Sequence, residues 1–151
     1  MKLLLDTNIL SRLCHPNRSE NQATAERFVR TLRDGKHSIV IPEIADYEVR
    51  RGLLHVALRS GRSTTKSLQR LDALATTCSY LPLRTATLRR AAALWARCRY
   101  RGLPTASDPA LDGDVILAAQ AIESGCVVVT ENVRHLSRLT IAYPWQDLPE
   151  D

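Results

Sequence analysis

Short apolar runs alternate along the chain with longer stretches in which apolar residues recur at helical spacing. The short runs predict strands at residues 2–5, 38–41, 80–83, 126–129 and 141–143. The longer stretches predict helices at residues 8–13, 20–32, 42–58, 64–75, 85–100 and 114–123. Because strands alternate with helices, we expect an α/β fold with a mostly parallel central sheet covered by helices on both faces.

The remaining sequence predicts one long loop and gives no sign of a second domain. Residues 102–112 are rich in Gly, Pro, Ser and Asp and predict a loop. The 151 residues contain no repeat and no internal linker, so we expect one domain over residues 1–151. No run of about 18 apolar residues predicts a membrane span, and Lys2 is followed by only three leucines, which does not resemble a secretory signal.

Cysteine usage and net charge bear on location and partners. The four cysteines form no CxxC pair and histidines are few, which argues against a zinc site and a disulfide framework. Reduced thiols in a cytoplasmic protein are the expectation. The formal net charge is +5 and the cations are mostly arginines, which favours a polyanionic partner such as RNA or DNA, although solubility alone is the simpler explanation.

Arginines are concentrated in and around the predicted helix at residues 85–100. Arg89, Arg90 and Arg97 fall away from its apolar stripe and are candidate contacts to a phosphate backbone. A solvated helix face explains them equally well.

The first candidate acid directly follows the first apolar run. Asp6 comes after three leucines and precedes Thr7 and Asn8. A buried carboxylate is costly unless a cation, a donor or a proton compensates it, so Asp6 is a candidate metal ligand with Thr7 and Asn8 in support. The alternative is that Asp6 or Thr7 only caps the following helix.

Three further acids lie in similar settings. Glu48 borders the apolar stripe of its predicted helix and points over the sheet end toward Asp6, or else it pairs in solvent with a neighbouring arginine. Asp112 and Asp114 flank Gly113 just before a strongly apolar helix. Capping explains one of these two aspartates, whereas two are more than capping requires.

A second strand is also followed by polar residues. Thr130 and Asn132 come after the run at residues 126–129, as Asp6 follows the first strand. Parallel strands bring their carboxyl ends to one edge of a sheet, so Asp6 and Thr130 are expected to converge there. A turn built from Asn and Thr side chains is the alternative.

Several converging carboxylates indicate chemistry with a divalent cation. Oxygen-rich clusters bind Mg²⁺ or Mn²⁺, and such an ion favours hydrolysis of a phosphodiester by water. Two other functions stay open. One is a phosphatase with Asp6 as covalent nucleophile, which usually needs a second acid where Asn8 stands. The other is a non-catalytic nucleic-acid-binding or protein-binding module with a degraded site.

The ordered set of motifs resembles the PIN-domain family, in particular VapC-type toxins of bacterial toxin–antitoxin pairs. LLLDTNIL is similar to the family's opening, PEIADYEVRRGL to its second motif, and DVILAAQAIESGCVVVTENVRHL to the last two. The resemblance implies a three-layer α/β/α sandwich in which Asp6, Glu48 and Asp114 are the metal acids. Thr130 and Asn132 then stand at the closing polar position.

The last motif departs from the family pattern. Asn132 stands where some members carry Asp, and His135 stands where many VapC-like chains carry Asp. We therefore expect a cluster of three acids, with Asp112 or an outer Asn132 assisting.

The resemblance further implies a cytoplasmic, Mg²⁺- or Mn²⁺-dependent endoribonuclease that forms a homodimer. A small antitoxin would hold it inactive, with its C-terminal segment in the active-site groove. We expect the predicted helices at residues 44–58 and 68–75 to form that groove.

Overall fold

A computed structural model describes residues 1–102 and 108–149 of the chain, with the backbone alone at residues 108 and 109. Five strands form one sheet: β1 (Lys2–Leu5), β2 (Ser38–Pro42), β3 (Ser79–Leu81), β4 (Val127–Val129) and β5 (Ala142–Tyr143). Their order is β3-β2-β1-β4-β5, and every neighbouring pair is parallel. The predicted parallel sheet is therefore confirmed.

Seven α-helices connect and cover the strands: α1 (Thr7–Cys14), α2 (Gln22–Asp34), α3 (Glu43–Ser60), α4 (Thr65–Thr77), α5 (Thr85–Tyr100), α6 (Asp108–Ser124) and α7 (Val133–Leu136), in the part of the chain that is described. Short 3-10 turns lie at Ser19–Asn21 and Trp145–Asp147. None of the described helices combines the length and apolar character needed to cross a membrane.

The central strand β1 is buried on both faces, which makes the fold a three-layer sandwich. Leu3 and Leu5 pack into a core that includes residues of α1 to α4, whereas Leu4 packs on the opposite side with α6 residues such as Leu117. Successive residues of a strand point to opposite faces, and three consecutive leucines therefore serve both layers. The expected α/β/α arrangement is confirmed.

The carboxyl ends of β1 and β4 meet at one sheet edge. The backbone N–H of Asp6 donates to the carbonyl of Val129 at 3.0 Å, and that of Thr130 donates to the carbonyl of Tyr143 at 3.1 Å. The residues that directly follow the two strands are consequently side by side.

The predicted loop at 102–112 is wrong over its C-terminal part, because α6 already begins at Asp108. Pro109 lies in the first turn, where proline needs no hydrogen-bond donor. Leu111 and Val115 pack with Ala91 and Cys98 of α5, which stabilises this early helix start. Residues 103–107 of the predicted loop lie outside the described residues.

Candidate active site

Asp6 is the most buried acid of the site and it also caps a helix. The residue is 8% exposed, and its Oδ1 accepts a hydrogen bond from the Thr7 backbone N–H at 2.6 Å. Its Oδ2 accepts one from the Thr130 hydroxyl at 2.6 Å. Burial raises the pKa of Asp6, while the bonds from Thr130 and Thr7 oppose that shift. Capping and a place in an acidic site are therefore not exclusive.

Glu48 reaches the same edge from α3. Its side chain is 25% exposed, and burial raises its pKa. The charge of Arg51 and the Thr7 side chain lower that pKa, whereas the charge of Asp6 raises it. Arg51 Nη2 lies 3.7 Å from Glu48 Oε2, so the arginine pairing considered from the sequence also exists.

The Glu48 carboxylate lies directly against the backbone of α6 at Gly113. A Cβ placed on Gly113 would stand 2.7 Å from Glu48 Oε1 and 3.3 Å from its Cδ. Any residue other than glycine would therefore push the carboxylate away. The backbone at Gly113 thus provides the space that brings Glu48 next to the neighbouring acid of α6.

That neighbouring acid is Asp114, on the second turn of α6. Burial, and after it the negative charges of Asp6 and Glu48, together raise its pKa to about 6. Like charges at close range disfavour ionisation of one another. Three carboxylates from three separate elements are therefore close enough to repel one another.

The donor chemistry of this trio (Asp6, Glu48 and Asp114) fits a hard divalent cation. Among residues 1–102 and 108–149, no three acid, histidine or cysteine side chains are already drawn together in a metal-holding geometry. The trio still offers only carboxylate oxygens, which Mg²⁺ and Mn²⁺ prefer. A cation would also relieve the repulsion that raises the pKa of Asp114.

Thr130 joins the trio to the strand β4 through a small polar network. It is fully buried, and its hydroxyl accepts from the Asn132 backbone N–H at 2.9 Å and lies 3.5 Å from Asn8 Nδ2 while it donates to Asp6. The Asn8 Oδ1 accepts from the Glu131 backbone N–H at 3.4 Å. The sequence-predicted supporters Thr7, Asn8 and Thr130 therefore all lie at the site.

The motif that follows β4 contacts the site through its backbone more than through the side chains of Asn132 and His135. Asn132 is exposed and its side chain makes no capping bond to α7. His135 lies within α7, partly buried, and its Nδ1 has no hydrogen-bond partner among the described residues. Neither residue shifts the pKa of Asp6, Glu48 or Asp114.

Asp112 lies apart from the trio. It is exposed and lines a groove between α5 and α6 together with Leu88, Trp95 and Val115. Two residues along a helix correspond to a rotation of about 200°, so Asp112 and Asp114 face nearly opposite sides of α6. The structure does not bring Asp112 together with the other predicted ligands.

The predicted RNA-binding arginines also lie away from the acids. Arg89, Arg90 and Arg97 line a depression beside the C-terminal part of α6, where Arg90 Nε lies 3.6 Å from Glu123 Oε1. Glu123 lies nine positions after Asp114 on α6, which corresponds to about 13 Å along the helix axis.

A groove reaches the trio, and the sequence does not predict the arginines that line it. It has a volume of about 430 Å³, runs between α1, α3 and the start of α4, and has Thr7 and Glu48 in its wall. Arg18 and Arg62 also line it, together with Ser63 and other hydroxyl residues. Both arginines lie in irregular segments, so no helical or strand periodicity marks them in the sequence.

Arg12 and Glu131 form a second feature that the sequence does not reveal. Arg12 Nε lies 2.6 Å from Glu131 Oε1, and Arg12 Nη1 donates to the carbonyl of Glu20 at 2.9 Å. This pair holds the segment after β4 against α1, beside the bond between Asn8 and Glu131. The partners are 119 positions apart, a separation that no local pattern encodes.

Comparison with solved structures shows the same fold in toxin–antitoxin proteins. The chain is similar to one in the structure of VapBC2 from Rickettsia felis bound to a DNA fragment from their promoter, with 18% identity, a TM-score of 0.71, and coverage of 96% of this chain and 99% of that chain. For VapBC-1 from nontypeable Haemophilus influenzae the values are 19%, 0.70, 97% and 100%. For DNA-bound VapBC from Salmonella typhimurium they are 22%, 0.70, 96% and 98%.

Comparison of the sequence itself identifies the family. No curated protein sequence matches the chain. The model of the family described as the PIN domain matches residues 3–141, which include all three acids of the trio. This match covers nearly the whole chain, and the solved structures agree with it in fold. The chain therefore belongs to the PIN domain family.

Proposed function

We propose that this protein is a metal-dependent endoribonuclease and the toxin of a toxin–antitoxin pair. The observation that carries the proposal is the convergence of Asp6, Glu48 and Asp114 at the carboxyl edge of a parallel sheet, where each acid has a raised pKa. Perturbed acids gathered in one place are typical of functional sites. Membership of the PIN domain family supports the same activity.

Asp6, Glu48 and Asp114 would hold Mg²⁺ or Mn²⁺. Such an ion, when bound, lowers the pKa of water and stabilises negative charge on a phosphoryl oxygen. Thr130 and Thr7 fix the Asp6 carboxylate through one hydrogen bond to each oxygen, so its position is set before substrate binds. The Gly113 backbone does the same for Glu48 through close packing. Asp112 is not part of this proposed ligand set, because it faces another groove.

RNA is the proposed substrate, and two basic regions are available to it. Arg18 and Arg62 line the groove that ends at Glu48, where they would contact phosphates next to the cleaved bond. The α5 arginines Arg89, Arg90 and Arg97 would contact a more distant part of a long RNA. Guanidinium groups suit both regions because they bind phosphate oxygens in a bidentate manner.

A small antitoxin is the proposed partner. Similar chains occur in structures described as VapBC complexes, two of them with DNA. We propose that an antitoxin segment lies in the groove beside α3 and α4 and blocks access to the trio. The groove suits a peptide because it combines apolar side chains such as Val49 and Leu53 with cations. Homodimer formation and a cytoplasmic location belong to the same proposal.

The test is cleavage of labelled RNA by purified, partner-free protein in Mn²⁺, in Mg²⁺ and in EDTA, beside the Asp6→Asn variant. We expect cleavage that requires metal and disappears in the variant, while thermal unfolding confirms that the variant is folded. RNA binding that ignores metal, with no cleavage by a folded wild-type protein, would instead support a non-catalytic binding module.

A further inference from the structure

Glu48 has a cation of its own chain as a neighbour, and that cation lies on an aromatic ring. Arg51 Nη2 is 3.7 Å from Glu48 Oε2, and Arg51 Cζ is 5.0 Å from the centroid of the Tyr47 ring. The Arg51 side chain is 56% exposed, and Tyr47 is 55% exposed. On the surface of α3, the Arg51 guanidinium therefore lies between the Glu48 carboxylate and the exposed Tyr47 ring.

The pair between Arg51 and Glu48 is loose. Its 3.7 Å separation exceeds the distance of a hydrogen bond, and exposed ion pairs of this kind contribute little. A guanidinium has five N–H donors, and those of Arg51 donate no hydrogen bond to any described residue. Arg51 is thus held near the trio while its donors stay available.

The adjacent arginine shows what a structural role looks like on the same helix. Arg50 Nε donates to Asp46 at 2.9 Å and its Nη2 donates to Asp72 at 2.8 Å. These two carboxylates fix Arg50 between α3 and α4. Within residues 1–102 and 108–149, Arg51 has no such pair of anchors, and its contacts there are a site acid and a ring face.

We propose that Arg51, stacked on Tyr47, is a phosphate-positioning residue that exchanges Glu48 for a phosphate of the bound RNA. This inference rests on the proposed nuclease function. Glu48 cannot give its full charge to both a divalent cation and Arg51, so ligation of the ion weakens the Arg51 pair. The guanidinium, still stacked on Tyr47, then presents its planar donors to a phosphate beside the trio.

Two opposite effects of one substitution follow. Replacing Arg51 by Ala removes a cation that competes for Glu48, so Mn²⁺ affinity without RNA is expected to rise several-fold. The same change removes a charge-assisted contact to phosphate, so kcat/KM for RNA is expected to fall about ten- to hundredfold. Substitution of a residue that merely supported the fold would not raise the affinity for Mn²⁺.

The experiment combines calorimetric Mn²⁺ titration with cleavage kinetics for Arg51→Ala, Arg51→Lys and Tyr47→Ala. Arg51→Lys keeps the positive charge but loses the planar set of guanidinium donors. We therefore expect the Mn²⁺ affinity of the wild type, with cleavage between that of Arg51→Ala and that of the wild type. Tyr47→Ala removes the platform and is expected to lower cleavage with little effect on Mn²⁺ affinity. Arg59→Ala is the matched control, because Arg59 is an exposed arginine in the last turn of α3.

The outcomes separate this inference from the proposed function. If the wild-type protein cleaves no RNA, the nuclease proposal fails, while the Mn²⁺ titration still tests the competition for Glu48. If the wild-type protein cleaves RNA and Arg51→Ala behaves like Arg59→Ala, the role of Arg51 is overturned. Weaker Mn²⁺ binding by Arg51→Ala would also overturn it, because Arg51 would then support Glu48 instead of competing for it.

Discussion

Replacement of Gly113 by Ala should separate stability from activity. Gly113 lies within α6, where alanine normally stabilises a helix by about 0.5–1 kcal/mol relative to glycine. The Cβ of an alanine at this position would however stand 2.7 Å from Glu48 Oε1. The clashing atom is the far end of a side chain, so the carboxylate can move while the helices stay in place.

The size of that movement follows from the contact distance. Real Cβ atoms essentially never approach a neighbour within 3.0 Å, and contacts of 3.4 Å are ordinary. The Glu48 oxygen must therefore retreat by about 0.3–0.7 Å from its 2.7 Å position. Active-site groups need positions within about 0.5 Å, and a misplacement of about 1 Å can cost about 100-fold in rate.

We expect Gly113→Ala to leave the free energy of unfolding unchanged or to raise it by up to about 1 kcal/mol. Mn²⁺ affinity and RNA cleavage should both fall, with cleavage lower by about tenfold or more. Chemical denaturation, Mn²⁺ calorimetry and cleavage of labelled RNA measure these quantities. Gly52→Ala serves as the stability control, since a Cβ at Gly52 meets no other described part of the chain within 4 Å.

A double variant identifies the route of the effect. In a Glu48→Ala background, Gly113→Ala should weaken Mn²⁺ binding no further, because the two changes act on the same carboxylate. The reasoning is refuted if Gly113→Ala alone binds Mn²⁺ and cleaves RNA like the wild type. It is equally refuted if the effects of the two substitutions add.

Two further predictions concern the other acids. The pKa of Asp114 in the folded protein is about 6, above its ordinary 3.8, so its contribution to stability is present below about pH 4 and is lost as the pH rises through 6. Without metal, Asp114→Asn should therefore gain thermal stability over the wild type as the pH is raised from 4 to 7, and saturating Mn²⁺ should reverse the order. Thr130→Val removes the buried donor to Asp6 and should lower the free energy of unfolding by about 1–3 kcal/mol, whereas Thr130→Ser, which keeps the hydroxyl, should lose less in denaturant unfolding and retain more cleavage.

The sheet and the meeting of Asp6 with Thr130 follow from local patterns. A run of three leucines can be buried on both faces only in a covered central strand, and parallel strands end at one edge. The contact across that edge, from the Thr130 hydroxyl to Asp6 Oδ2, is the consequence. These features need no knowledge of how the helices pack.

The parts of the site that were missed depend on helix phase and helix packing. With α6 taken to start near Asp114, Asp112 and Asp114 are both expected at its mouth. With the start at Asp108, the two aspartates face different sides of one helix. The approach of Glu48 to Gly113 depends on how closely α3 meets α6, which residue spacing within either helix does not specify.

Calorimetric titration of Mn²⁺ into metal-free wild-type protein and into Asp6→Asn, Glu48→Gln, Asp114→Asn and Asp112→Asn tests the central claim most directly. The account predicts that the wild type binds Mn²⁺, that each change within the trio weakens binding by tenfold or more, and that Asp112→Asn binds like the wild type. Unchanged affinity in Asp6→Asn, or a loss in Asp112→Asn equal to that in Asp114→Asn, would contradict the assignment of the site.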